Sequence, residues 1–351
     1  MQRMGTTAAD GVRPRPIELL RVAGSRAEVG EQVGFACGDV VRAVCAQITP
    51  AAIAAAEPYH AVTLRELPWL VEELEGVAHG AGLEPMAVFA AGIEELDAPT
   101  AGEPARGCSD LVCCPSASAD GRLWVAHTND LSAATQEQLI AIEWRVNDDP
   151  VLFTVGVGPW ISVGFNSAGL ALTGNELTPN DNRIGIPRLL QVRDILRRRT
   201  LEQAVAAALH PQRASSYNNV LSHRDGRVVS VEGSATDAEL MRPGANGTLA
   251  HTNHYVSERM QRYEGDADYA ARSDVRYRRA LRWLATSNIT AAQLRTALSD
   301  HSDAPDSICR HVQKDSQTKT VFWCIADVTG GEITYGRGNP CDSDDQRYVF
   351  D

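Results

Sequence analysis

ARGCSDLVCC, residues 105–114, places three cysteines in ten residues directly after a Pro- and Gly-containing break. The run that starts at Gly107 is the first to read as a strand, and the role of Cys108 at its head decides how the fold is read. A metal ligand, a disulfide partner, a buried thiol and a nucleophile all suit the residue type. Cys108, Cys113 and Cys114 form no Cys-x-x-Cys pair with a matched second pair, and adding His251 and His254 from HTNH does not produce zinc spacing, so no metal is expected. Eight cysteines in 351 residues are too sparse for a disulfide scaffold. Cys113 and Cys114 read as small hydrophobes on a buried strand.

Upstream of this stretch the pattern is helical. Ser25–Ile48 opens on a serine cap with Glu28 three residues on, the capping-box spacing. Thr63–Leu83 has apolar residues at helical spacing and ends in glycine punctuation, and Pro85–Leu96 is a further short helix. Residues 1–16 read as a loose leader and 97–107 as a Pro/Gly/Ala loop. Downstream the period changes. Arg122–Thr128 and Leu139–Val146 alternate as strands do, Val151–Val157 is rich in β formers, and Ile161–Leu177 reads as two strands around an Asn-Ser-Ala-Gly turn. Pro187–Leu209 is an amphipathic helical region split near Thr200. Tyr217–Ser234 is a hairpin turning at Asp225-Gly226. Ala271–Ala285 and Thr290–Asp300 are helices, and Thr320–Gly338 is a last hairpin turning at Gly330-Gly331. Hairpins imply antiparallel sheets, and the two helical blocks suffice to cover their outer faces.

Composition narrows the function. With 44% hydrophobic and 22% charged residues the chain is an ordinary globular protein. A net charge of −12 and a pI near 5.3 offer no basic face for nucleic acid. No apolar run approaches the roughly 20 residues that span a bilayer. MQRMGTTAADGVRPRP lacks an apolar h-region, so no secretory signal is read, and a cytoplasmic protein with reduced thiols is expected. The lysines are Lys314 and Lys319, both in one short polar segment; every other basic residue is arginine.

A cysteine thiol, with an ordinary pKa of about 8.5, needs a base or a positive field to act as a nucleophile. An α-amino group, titrating at about 7.7–8.0, is such a base if Cys108 is itself an N-terminus. The bond Gly107–Cys108 must then be cut. Glycine at 107 suits a cut, because without a Cβ it lets the thiol approach its carbonyl. Taken alone, Gly-Cys does not choose between this chemistry and a buried thiol.

Five segments occur in order: GCSD (107–110), HTND (127–130), GFNSAGLAL (164–172), LAHTNH (249–254) and SICR (307–310). Together they resemble the acyl-coenzyme A:6-aminopenicillanic acid acyltransferase family, also called isopenicillin N acyltransferase. Gly24–Gly34 and Leu74–Gly82 resemble its N-terminal helices, so the resemblance covers about residues 20–350. It implies an N-terminal nucleophile hydrolase: an α+β, four-layer αββα sandwich with a mainly helical N-terminal segment. It implies a precursor cut between Gly107 and Cys108, giving chains 1–107 and 108–351 that stay together as a heterodimer, with further homo-oligomerisation open. Cys108 is then the nucleophile and its amine the base. Asp130 is the catalytic carboxylate that holds and tunes that amine. Asn253 donates to the oxyanion, a contact whose loss typically costs about 2.7–4 kcal/mol. His251 and His254 are scaffold, because an N-terminal amine leaves a histidine base without a task.

Asn175 and Glu176 are candidate pocket residues. Arg310 is either a carboxylate anchor or a buried structural arginine. Two departures stand out. Ser109 follows the nucleophile where the family often has threonine, and Asp110 adds a carboxylate nearby. HVQKDSQTKTVFW (311–323) contains no arginine where the penicillin enzyme has a Ser-Arg pair, which speaks against a penicillin-type substrate; Lys319 is the candidate replacement. The expected activity is cleavage of a small-molecule amide through a thioester on Cys108. The alternatives are acyl transfer from a thioester or amide donor to an amine, and a non-catalytic binding protein on the same fold. A small-molecule amide or acyl donor is the expected partner, with no cofactor, nucleic acid or membrane.

Overall fold

The computed structural model describes residues 14–96, 106–314 and 316–350; most of the leader and of the 97–107 loop lie outside them. The chain opens with a strand, β1 (Glu18–Gly24), then five helices: α1 (Arg26–Ala36), α2 (Gly38–Cys45), α3 (Pro50–Glu66), α4 (Pro68–Ala81) and α5 (Pro85–Ala90). Six strands follow: β2 (Gly107–Cys113), β3 (Trp124–Ser132), β4 (Leu139–Val146), β5 (Leu152–Val157), β6 (Trp160–Asn166) and β7 (Leu170–Asn175). Helices α6 (Arg188–Leu196) and α7 (Leu201–Ala208) lead to β8 (Asn218–His223), β9 (Val228–Gly233), β10 (Ala238–Met241) and β11 (Thr248–His251). The last elements are α8 (Ala267–Trp283), α9 (Ala291–Leu298), β12 (Thr318–Asp327), β13 (Glu332–Arg337) and β14 (Gln346–Val349).

The strands form two sheets, ordered β1-β4-β5-β6-β7-β8-β9-β10 and β11-β2-β3-β12-β13-β14. Their inner faces share one core, with Phe153, Val155 and Val163 of the first sheet meeting Val112, Phe322 and Cys324 of the second. The outer face of the first sheet packs on α1–α7 through residues such as Trp144, Leu172, Val77 and Leu196. The outer face of the second packs on α8 and α9 through Leu111, Cys113, Ala126, Ala280 and Leu298. The layers are therefore helix, sheet, sheet, helix, the αββα sandwich expected. Cys113 and Cys114 are both buried, one facing the helices and the other the space between the sheets.

The N-terminal segment is less purely helical than expected, because β1 pairs in parallel with β4 from Glu18↔Ile140 to Gly24↔Val146. Ser25 caps α1 with Glu28 reaching back, as the sequence implies. The expected Ser25–Ile48 helix is two helices meeting at Cys37, and Thr63–Leu83 is divided between α3 and α4 at Leu67. Pro68 marks that division: it sits at the first position of α4, where its missing N–H costs nothing, and it disfavours helical backbone at Leu67, which has φ −134° and ψ 60°. The glycines of α1 and α4 explain their contact. A Cβ on Gly34 would stand 2.1 Å from the Val77 carbonyl oxygen, and one on Gly80 2.1 Å from that of Glu31. No single helix among the described residues is long and apolar enough to cross a membrane.

Candidate active site

β2 lies between β11 and β3, and its register builds the site. Gly107 pairs with Asp130 and Cys108 with Asn129 on β3, while β12 brings Thr320 opposite Asp130. Side chains alternate across a strand. The parity that sends Val112 into the inter-sheet core sends Cys108 and Asp110 the same way, whereas Gly107 and Asp130 face α8 and α9.

Cys108 is 7% exposed. Its backbone N–H donates to Asn253 Oδ1 at 2.8 Å, and its carbonyl oxygen accepts from Arg276 Nη1 at 2.5 Å. Among the described residues no histidine hydrogen-bonds the thiol; Asn129 Nδ2 lies 3.6 Å from Sγ. Burial pushes the thiol far above its ordinary range, the charges of Asp130, Asp110 and Glu176 push it further, and Arg276 opposes them. The thiol is thus held protonated while the chain is intact.

Asp130 is fully buried. The Thr320 hydroxyl donates to its Oδ1 at 2.7 Å, and Arg310 Nη1 lies 4.0 Å from its Oδ2. Burial raises its carboxyl pKa against the opposing pull of Arg310 and Arg276. Arg310 is bound to the same strand: its N–H donates to Thr320 Oγ1, and its carbonyl accepts from the Thr320 N–H, each at 2.9 Å. Gly107 sits in the angle of these groups. A Cβ there would be 2.9 Å from Asp130 Oδ2, 3.2 Å from Arg310 Nη1 and 3.4 Å from Arg276 Nη2.

Asn253, in the loop after β11, is fixed by four contacts. Its Oδ1 accepts from Cys108 and from Arg276 Nη2 at 2.8 Å, its Nδ2 donates to the Glu176 carbonyl at 3.1 Å, and its backbone N–H donates to Ser273 Oγ at 2.6 Å. The structure therefore brings Gly107, Cys108, Asp130, Asn253 and Arg310 together. Glu176 joins them through its carbonyl, but its carboxylate is turned to Arg188 at 3.0 Å. Asn175 is one step removed, accepting from Asn218 Nδ2 at 3.0 Å beside His251 Nδ1, also at 3.0 Å. His251 bridges to Glu232 at 2.9 Å. Burial lowers the His254 imidazole to about 4. Lys319 is not brought to Cys108. It lies on β12 opposite Leu131, and β3 separates β12 from β2; burial lowers its ammonium pKa, and the charges it senses are Cys309, Asp342 and Cys341.

Arg276, Thr320 and Asn129 were not singled out from the sequence. Arg276 left a signal. The inward face of α8 is Tyr269, Ser273, Arg276 and Ala280, so one arginine of an arginine-rich helix sits on the apolar stripe.

The fold is an αββα sandwich, and the family model that matches this chain is one of acyl-transferases. The chain belongs to the acyl-coenzyme A:6-aminopenicillanic acid acyl-transferase family, whose model matches residues 117–342. That match starts nine residues after Cys108, so the GCSD segment stands on its own residues. No curated protein matches the chain. Solved structures similar to this chain include the following three. An N-acylethanolamine-hydrolyzing acid amidase ortholog of Caenorhabditis elegans is 15% identical with a TM-score of 0.42, over 63% of this chain and 93% of that one. A variant of conjugated bile acid hydrolase from Clostridium perfringens is 12% identical with a TM-score of 0.46, over 70% and 97%. Penicillin V acylase from Agrobacterium tumefaciens is 13% identical with a TM-score of 0.43, over 66% and 83%.

Proposed function

We propose that this chain is a self-processing cysteine amidohydrolase that cuts a small-molecule N-acyl bond through a thioester on Cys108. The observation that carries this reading is the Cys108 backbone nitrogen, bound by Asn253 and placed beside a fully buried Asp130, with no histidine on the thiol among the described residues. Such a site is organised around a main-chain nitrogen, and that nitrogen becomes a base only when the Gly107–Cys108 bond is broken.

In processing, Sγ adds to the Gly107 carbonyl carbon. The C–N bond breaks, the Cys108 nitrogen takes the proton, and water hydrolyses the resulting thioester. Departure of Gly107 vacates the space bounded by Asp130, Arg310 and Arg276, which then receives the substrate's scissile group. In turnover the free amine takes the thiol proton, and Sγ attacks the substrate carbonyl. The leaving amine regains a proton from the ammonium, and water deprotonated by the amine releases the acid. The second N–H of Asn253 Nδ2 faces the developing oxyanion. The fragments 1–107 and 108–351 stay associated, because β1 pairs with β4 and the helices α1–α5 share a core with the first sheet.

The family's name favours a second reading, transfer of the acyl group to an amine in place of water. Mass spectrometry of the purified protein tests processing: fragments of 107 and 244 residues are expected, and Cys108→Ala leaves the chain intact and inactive. An intact wild-type chain that forms no thioester with amide or acyl-thioester donors overturns the proposal. Turnover of an amide with and without an added amine separates the two readings.

A further inference from the structure

At the end of the second sheet that carries Cys108, two loops bring four metal-binding side chains together. His301, Cys309 and His311 come from the connection between α9 and β12, and Cys341 from the connection between β13 and β14. Their donor atoms all lie within 4.8 Å of one another. Sγ of Cys309 is 3.7 Å from Sγ of Cys341. His311 Nε2 is 3.7 Å from the first sulfur, 3.5 Å from the second and 3.0 Å from His301 Nε2.

These separations are the edges of a coordination tetrahedron. With Zn–S of about 2.3 Å and Zn–N of about 2.0–2.1 Å, a regular tetrahedron has S···S edges of about 3.8 Å, S···N edges of about 3.5 Å and N···N edges of about 3.3–3.4 Å. The S···S distance and the two S···N distances of His311 fall within about 0.2 Å of those values, His301 offers its donor within 4.8 Å of both sulfurs, and the N···N edge is the shortest of the four. A disulfide is a poor account of the same geometry, since its sulfurs stand at about 2.05 Å. Two thiolates and two imidazoles arranged tetrahedrally select zinc among common divalent metals. Outer contacts of the kind that orient ligands are also present: Asn339 Nδ2 donates to Cys309 Sγ at 3.4 Å, and Ser307 Oγ donates to the Cys309 carbonyl at 2.7 Å.

We propose that His301, Cys309, His311 and Cys341 form a structural Cys2His2 zinc site. The site is closed, with four protein ligands and no position for substrate. Its consequence for the active site follows from the chain: Arg310 lies between two ligands, and Asn339 Nδ2 also donates to the Arg310 carbonyl at 2.6 Å. Zinc would hold the backbone from which Arg310 reaches Asp130. The ligand spacing, His-x7-Cys-x-His-x29-Cys, matches no zinc-finger pattern, so the site is not legible from sequence spacing.

The test uses the full chain purified under reducing conditions from zinc-supplemented growth. About one zinc per chain is expected by elemental analysis after gel filtration into metal-free buffer. Replacement by Co²⁺ is expected to give the visible absorption of tetrahedral cobalt with a thiolate charge-transfer band. The double substitution Cys309→Ala/Cys341→Ala should lower bound zinc at least roughly tenfold. His301→Ala, at an exposed position, keeps the test open if the double variant does not fold; it should weaken zinc retention and change the cobalt spectrum. Wild-type protein that retains no zinc after reduction and zinc loading overturns the proposal. So does a Cys309–Cys341 disulfide that persists in reducing buffer, or zinc retained equally by the wild type and both variants.

Discussion

Replacing Asp130 with asparagine removes a charge and almost no volume. The Thr320 hydroxyl still has an oxygen to reach, so the strand pairing around the site is retained. Lost is the carboxylate's hold on the amine that processing creates at Cys108. The contact Asp130 makes with Arg310, at 4.0 Å, sets the scale. At an effective dielectric constant of about 20, a unit pair at that distance interacts by about 4 kcal/mol. Desolvation of the buried pair takes back part of this, leaving about 2–3 kcal/mol. That corresponds to a roughly 30- to 150-fold loss in both processing and turnover. A second effect has the opposite sign. Asp130 is, after burial, the largest cause of the raised Cys108 thiol pKa, so Asp130→Asn makes the thiol more acidic. The assays are an intact-mass time course for fragment formation, steady-state cleavage of an N-acyl amide, and the pH profile of Cys108 alkylation in unprocessed protein by peptide mapping. Slower chemistry with an easier-to-ionise thiol is expected. Wild-type rates of processing and turnover in the variant refute the amine-anchoring role, and an alkylation midpoint that stays put or rises refutes the electrostatic account.

Arg276→Met removes three buried bonds from a charged donor, to the Cys108 carbonyl, Ser109 Oγ and Asn253 Oδ1, each worth about 1.5–3 kcal/mol at most, and relieves a buried guanidinium in return. Steady-state kinetics should therefore show kcat down roughly tenfold or more with KM little changed, and Arg276→Lys should not restore it, since one ammonium cannot make the forked contact. Gly34→Ala drives a Cβ to 2.1 Å from the Val77 carbonyl oxygen, and calorimetry should show Tm lower by several degrees, from an overpacking cost of about 1–3 kcal/mol. His254 gives a pH dependence. Its folded pKa is lowered to about 4, so its neutral form is the one the fold favours. The stability it contributes is complete above its unfolded pKa of about 6.5 and is lost as pH falls toward 4. Denaturant titrations across that window should show the loss in the wild type and a flatter profile in His254→Asn.

The helix-and-hairpin order was legible because its signals are local: period 2 in β3 and β4, β formers in β5, a turn dipeptide in the β8–β9 hairpin, a capping box at Ser25. β1, β10 and β14 carried no such signal. β1 buries only Val22, and the other two are four residues long with mixed exposure, so edge pairing to an existing sheet makes them strands. α3 was missed over all but its last turn because PAAIAAAEPYHAV buries few residues and shows little apolar period. The zinc ligands escaped for a different reason, since two loops 30 residues apart meet only when the β12–β13 hairpin closes.

Within the site, motifs supplied Cys108, Asp130, Asn253 and Arg310, but not which way their side chains face. Side alternates with every step along a strand, and Lys319 shows that proximity in sequence to a site residue is not enough, since β3 stands between its strand and β2. The same parity constrains the mechanism. Cys108 points between the sheets, while its neighbours on the register, Gly107 and Asp130, point toward α8 and α9. A side-chain base on Asp130's face would have to act around the strand to reach Sγ. The Cys108 nitrogen lies in the strand itself, contacts Asn253, and is covalently placed beside its own thiol. Of the groups gathered here, it is the one that both the carboxylate on one face and the sulfur on the other are able to share.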